Sequence, residues 1–347
     1  MASVFDTALH NLSDESQHLT GRLLSILSGP SRNESQSFAT LWPTLTLERR
    51  REVIAKMVEQ CEDRFDVDYG ALFRTCLEDS DAEVRRSAID GLWEDEGVDL
   101  VNILIRIMQT DPDTLVRATA ASSLASFVYL AECDDLEPTR VACVRPALEQ
   151  AINNPEEDPE VVRRAVEAIS FINDDRVRDI IERTYAQRDE RMRVSALFAM
   201  GRNADPYWAD IVIEELGNAS AIMRFEAVRA SGELQLTRAV PLLIGLVKDT
   251  DAEVQNMAIW ALGQVGGKEA EATLQQLSTS KNEALNDAAM EALDELEFAT
   301  GAMEMMVHDA ETDLEDLAEV DMEEDSLDET DDEISDETWD DDPIELD

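Results

Sequence analysis

Catalysis and metal binding draw on a short roster of side chains, and this chain of 347 residues is poor in most of them. Its three histidines, His10, His18 and His308, are scattered, so neither a catalytic triad nor a common zinc hydrolase site can be assembled. The four cysteines, Cys61, Cys76, Cys133 and Cys143, have no C-x-x-C spacing and read as free thiols of a reducing cytoplasm. Gly263-Gln-Val-Gly-Gly-Lys268 falls one residue short of a phosphate loop. It also has Glu269 where Ser or Thr should hold magnesium, and it follows a helical stretch instead of a strand. No Asp-x-Asp-x-Asp-Gly loop organises the acids for Ca²⁺. The expectation is therefore no catalytic residues, no metal and no cofactor. The chemistry that remains is recognition by arginine and aromatic side chains.

Charge narrows the partners. There are 78 acidic and 29 basic residues, a net charge of −49. Nucleic-acid binders neutralise phosphates with clustered Lys and Arg, so a nucleic-acid partner is excluded, as is a polybasic membrane surface. The longest apolar run, Ala239 to Val247, is half the ~20 residues of a membrane helix. Hydrophobic residues at 44% suffice for a core, while aromatics at 5% are few for a β-sandwich. The last base is Lys281, and residues 301–347 contain 23 acids and no base. Such a segment cannot bury enough apolar area to offset chain entropy and is expected to be disordered.

The middle of the chain repeats. The run Asp81-Ala-Glu-Val84-Arg85-Arg-Ser-Ala88-Ile89 recurs, with variations, from Asp113, Asp158, Asp189, Ser220, Asp251 and Asn282. Its first apolar position falls at Val84, Val116, Val161, Met192, Met223, Val254 and Leu285, and the last four steps are each 31 residues. The long step from Val116 to Val161 leaves room for an insertion near Ala131 to Thr139. Each unit reads as two helices, the second capped by its Asp, Ser or Asn and burying Val84, Ala88 and Leu92 on one face. Gly201, Gly232 and Gly263 fit left-handed caps at the ends of these helices. Ahead of the repeats, Ser13 is placed to cap a helix bearing Leu19, Leu23, Ile26 and Leu27, with Ser31 to Ser37 as a polar loop. Three segments follow: a preface over residues 1–40, a repeat body over 41–300, and the acidic tail over 301–347.

These units resemble HEAT repeats, in particular the short bacterial phycobilisome-lyase type, over about Leu72 to Leu296, with a degenerate first unit from Thr46. The resemblance implies an all-α fold, an α-solenoid of about seven to eight helical hairpins whose second helices line the concave side. It also implies an Asp/Arg ladder between neighbouring repeats: Asp81 with Arg85, Asp113 with Arg117, Asp189 with Arg193, and in part Ser220 with Arg224. Gln255 and Asn286 depart from it. HEAT-like repeats in deoxyhypusine hydroxylase hold two irons on His-Glu pairs, and this chain has no histidine in its repeats.

Opposite the buried face of the second helices lie Arg86, Ser87, Asp90 and Glu94. In the central units the same positions become Arg163, Arg164 and Phe171, then Val194, Phe198 and Arg202, then Phe225 and Arg229, then Met257 and Trp260. This stripe is expected to face the groove, where Arg and aromatic residues are the types that anchor interfaces. A register shift of one residue would instead put Phe198 and Trp260 in the core. The function implied is a non-enzymatic scaffold binding a protein or peptide in its groove. The acidic tail, with its spaced Leu, Ile and Trp, would either dock there in competition or only keep the chain soluble. An accessory, phycobilin-lyase-like subunit that holds a ligand or client for an enzyme is the other reading.

Overall fold

The computed structural model describes residues 3–298, and the acidic tail lies outside them. The described residues are helical, with no strand among them. They form one compact unit to Ala292 and the start of a second from Leu293. The second helices of the hairpins are Leu47–Asp63, Ala82–Asp90, Thr114–Glu132, Pro159–Ile169, Glu190–Asn203, Ala221–Glu233, Ala252–Val265 and 283–298. Between them run the shorter first helices, Gly70–Cys76, Val98–Thr110, Val144–Ile152, Asp175–Tyr185, Ala209–Glu215, Val240–Leu246 and Lys268–Leu277. The architecture is an all-α solenoid.

All but one of the second helices start where a side-chain oxygen meets free backbone N–H groups; the exception is Ala221–Glu233, where Ser220, expected as its cap, donates its hydroxyl to Glu190 instead. Asp81 accepts from Val84 N, Asp113 from Leu115 and Val116 N, Asp158 from Glu160 N, Asp189 from Arg191 N, and Asp251 from Glu253 and Val254 N. Successive second helices contact one another far more extensively than successive first helices do. The inside of a curved hairpin stack is its more tightly packed row, and the row of second helices is called the inner wall on that ground.

Close packing on that row depends on three glycines. A Cβ on Gly201 would stand 3.0 Å from Ala230 Cα, on Gly232 3.2 Å from Ala261 Cα, and on Gly263 3.0 Å from Ala292 Cβ. These glycines are inside their helices and do not cap them. The left-handed residues come three positions later, at Ala204 (φ 54°), Gln235 (φ 49°) and Gly266 (φ 66°). The sequence pattern alone does not separate the two roles, a helix-end cap and a close approach, because both suit a residue without a side chain.

The preface also differs from expectation. Ser13 ends the helix Val4–Ser13, which is capped by Ser3. Thr20 caps Gly21–Ser25, and Ser31 opens the helix Arg32–Leu41 through a capping box with Glu34. Ser31 to Ser37 is therefore not a loop. Buried Arg49 ties the preface to the first repeat, donating to the carbonyls of Leu12, Asp14 and Gln17 at 2.9–3.0 Å.

Ala239 to Val247 is not the longest apolar segment. Thr114–Glu132 has the length and hydropathy of a membrane span, but here it is a second helix with Val116, Ala120, Leu124 and Phe127 buried between its neighbours. The insertion follows it, with Asp134 at φ 62° and a short helix, Pro138–Val141.

Candidate functional site: the inner wall of the solenoid

The 31-residue period sets side chains of successive second helices side by side. Phe198, Arg229 and Trp260 form one column, Phe171, Arg202 and Glu233 the next, and Arg163, Val194 and Phe225 a third. Phe198 and Trp260 are half-buried, whereas the adjacent Leu197 and Ile259 are fully buried. Arg163, Arg164, Phe171, Val194, Phe225, Arg229 and Met257 are half-buried too, and Arg202 is exposed.

Aromatic rings and guanidinium groups alternate along the wall. Tyr129 meets Phe171 edge-on at 5.2 Å between centroids. The Arg202 guanidinium lies 5.8 Å from the Phe171 ring and 5.5 Å from the Phe198 ring, and Arg229 covers Phe198 at 3.9 Å. Trp260 lies against Gly232. Tyr129 is 49% exposed and marks the open end of the series. Sequence reasoning missed Tyr129 because the insertion lengthens its helix and breaks the period. It also missed Glu233, which sits 31 residues after Arg202 and was legible from the register alone.

The wall's arginines are held by its own carboxylates. Arg163 donates to Glu160 at 2.6 Å and to Ser195 Oγ at 2.9 Å, and Ser195 donates to Glu167 at 2.5 Å. Arg164 bridges Glu160 and Glu167 at 3.1 and 2.8 Å. Arg229 bridges Glu226 and Glu233 at 2.8 and 2.9 Å, and Arg202 reaches Glu233 at 3.4 Å. Burial pushes the carboxyls of Glu226 and Glu233 above the usual range in spite of these arginines. Arg229 Nη2 and Glu233 Oε2 are buried without a hydrogen-bond partner among the described residues. The middle of the wall is thus nearly neutral and does not offer the free positive charge expected to attract the acidic tail.

The arginine ladder joins neighbouring repeats, but not through the cap residues. Arg85 donates to Asp111 at 2.7 and 2.8 Å and to the Asp79 carbonyl at 2.8 Å. Arg117 reaches Glu157 at 3.0 Å and the Asp111 carbonyl at 3.0 Å. Arg193 donates to Glu215 at 2.6 Å, and Arg224 to Asp249 at 2.7 and 2.8 Å. The acceptors Asp79, Asp111 and Asp249 stand two residues before a cap and also take its backbone N–H. Asp113 and Asp189 serve as caps, while Asp81 takes the preceding repeat's Arg51 at 2.7 and 3.0 Å. Their side chains are committed to helix N–H groups, which is why the pairing expected with Arg85, Arg117 and Arg193 does not form. At the C-terminal end, among the described residues, Gln255 and Asn286 reach the backbone carbonyls of Asp249 and Ser278 and no carboxylate.

Residues 71–141, 209–294 and 241–323, together more than half of the chain, match the family of HEAT repeats. This chain belongs to that family. The match is to HEAT repeats at large, without assignment to the phycobilisome-lyase type. No curated protein matches the sequence. Among solved structures the HEAT chain is similar to the YibA protein of Escherichia coli, at 18% identity over 70% of this chain and 96% of that one, with a TM-score of 0.41. Human deoxyhypusine hydroxylase matches at 18% identity over 80% of this chain and 100% of its own, with a TM-score of 0.34. A designed armadillo repeat protein in complex with the peptide (KR)4 matches at 18% identity, 56% and 99% coverage and a TM-score of 0.36. These are likenesses of fold.

Elsewhere in the HEAT body a cleft of about 490 Å³ is lined by Cys61, Tyr69, Arg74, Gly91 and Asp95 among others. Burial pushes the Tyr69 hydroxyl to about 12 and the Cys61 thiol up, so neither is a ready nucleophile at neutral pH. Arg74 is held by Asp95 and Asp99 at 2.8 and 2.5 Å. Among the described residues no group of three or more His, Cys, Asp or Glu side chains could hold a metal ion.

Proposed function

We propose that this chain is a non-enzymatic interaction scaffold that holds a protein or peptide along the inner wall of its HEAT solenoid. The observation that carries the reading is the half-exposed series Tyr129, Phe171, Arg202 and Phe198, contributed by successive repeats. Rigid aromatic side chains present contact area at little entropic cost, Arg202 is already held by Glu233 and two rings, and both residue types dominate interface energetics. The high pKa values of Tyr69 and Cys61, together with the pairing of Arg74, support a binding protein over an enzyme. The four free cysteines suit a reducing, cytoplasmic setting. In this reading the acidic tail contributes charge and solubility and is not the occupant of the wall, because the wall's arginines already have partners.

The test is affinity capture by the wild-type chain and by a Phe198→Ala/Arg202→Ala variant shown by circular dichroism to be fully folded at the capture temperature. A polypeptide kept by the first and lost by the second supports the reading. Identical capture by both contradicts it. A visible chromophore copurifying with the chain would favour a ligand-holding accessory subunit instead.

A further inference from the structure

We infer that the segment occupying the inner wall is an extended polypeptide with basic residues at both ends and an aromatic or aliphatic centre. This deepens the scaffold reading and rests on it. The centre of the wall is neutral, its arginines closed by its own glutamates, and its free surface is the set of half-exposed rings around Phe198 and Trp260. The two ends differ from the centre. On the N-terminal side Glu62, Asp90 and Glu94 are exposed, with Arg86 one turn before Asp90 as the local base. On the C-terminal side Asp287 and Glu291 continue the columns of Phe225 and Trp260, are exposed, and have no base after Lys281. None of these five carboxylates makes a hydrogen bond or salt bridge to another described side chain, and Asp90 has a base, Arg86, acting on it through space. An acid with no partner of its own, set on each side of an apolar strip, is complementary to a cation on each side of an apolar segment. The overall charge of −49 steers the same class of partner toward the wall.

Asp90 and Glu291 are on inner helices separated by six helix-to-helix steps of ~8–10 Å, so the span is about 50 Å. An extended chain at ~3.3 Å per residue covers it with about 15–18 residues.

The experiment is fluorescence anisotropy of the full-length chain with three labelled peptides of that length sharing one Trp- and Leu-containing centre. Their ends carry Lys and Arg, Asp and Glu, or Ser and Gly. The basic-ended peptide is expected to bind about tenfold or more tighter than the neutral one at low salt, and added salt should shrink that advantage. An Asp287→Lys/Glu291→Lys variant, at exposed positions and checked for unchanged helicity, should shrink the ratio of basic-ended to neutral peptide affinity severalfold, and an unchanged ratio overturns the inference. Equal binding of the basic and neutral peptides, or tightest binding of the acidic one, overturns the inference. If Phe198→Ala still weakens whichever peptide binds, the scaffold reading survives that failure. If Phe198→Ala weakens none, or no peptide binds, both fall.

Discussion

The Arg229 guanidinium lies 3.9 Å from the centre of the Phe198 ring, which belongs to the preceding repeat, while Glu226 and Glu233 hold its other edge. The contact joins two inner helices and at the same time leaves the ring half-exposed on the wall. Phe198→Ala removes a cation–π partner and part of a packed surface. The expected loss is about 1–2 kcal/mol in urea unfolding, with Phe198→Tyr close to wild type. A Phe198→Ala protein as stable as wild type would show that the ring does not hold Arg229.

Glycine substitutions should split by position. Gly201→Ala and Gly232→Ala press a methyl group toward the backbone of the next inner helix and are expected to cost about 1–3 kcal/mol. Gly245 lies in the first helix Val240–Leu246, where a Cβ would meet nothing within 4 Å. Gly245→Ala should therefore stabilise by about 0.5–1 kcal/mol, through helix propensity and a less flexible unfolded chain. Thermal unfolding of the three variants checks the contrast, and equal shifts would refute the close-approach role.

How much of this was legible depended on the period. The spacing from Met192 to Leu285 revealed the second helices, their caps and their buried face, because apolar and small residues recur wherever helices must meet. The ladder was harder. Asp79-Ser-Asp81 and Asp249-Thr-Asp251 each offer two carboxylates, and only the backbone shows that the later one is turned into the helix. In the preface nothing repeats, although Ser31 followed three residues later by Glu34 was a readable capping box. Tyr129 had no such signal.

The ladder predicts a site of large cost on the solenoid's edge. The Asp249 side chain is 7% exposed, holds Arg224 through two bonds and accepts the Asp251 N–H. Asp249→Ala leaves a guanidinium without its counter-ion between repeats and is expected to cost about 3 kcal/mol by denaturant titration. Arg224 holds the Asp249 carboxyl below the usual range, so its contribution is present above that range and is lost as pH falls through the folded value. A cost under about 0.5 kcal/mol, the size of an ordinary surface pair, would show that the ladder does not bind the repeats together.

Glu226 and Glu233 should behave in the opposite sense. Burial raises both carboxyls in the folded chain, so the protonated form is favoured there and their contribution falls as pH rises through the folded values. A Glu226→Gln/Glu233→Gln variant should gain on wild type in melting temperature at pH 7, and the gain should vanish on acidification below the unfolded carboxylate range. A variant less stable than wild type at pH 7 would mean that Arg202 and Arg229 outweigh the burial.

The central claim is that the inner wall, and not the outer row of first helices, is where a polypeptide binds. A photo-crosslinking amino acid placed at Phe198, and separately at exposed Asp179 on the outer helix Asp175–Tyr185, tests it in the living cell. Covalent adducts from position 198 and none from position 179 are the expected result. Adducts from position 179 alone, or equally from both, would contradict it.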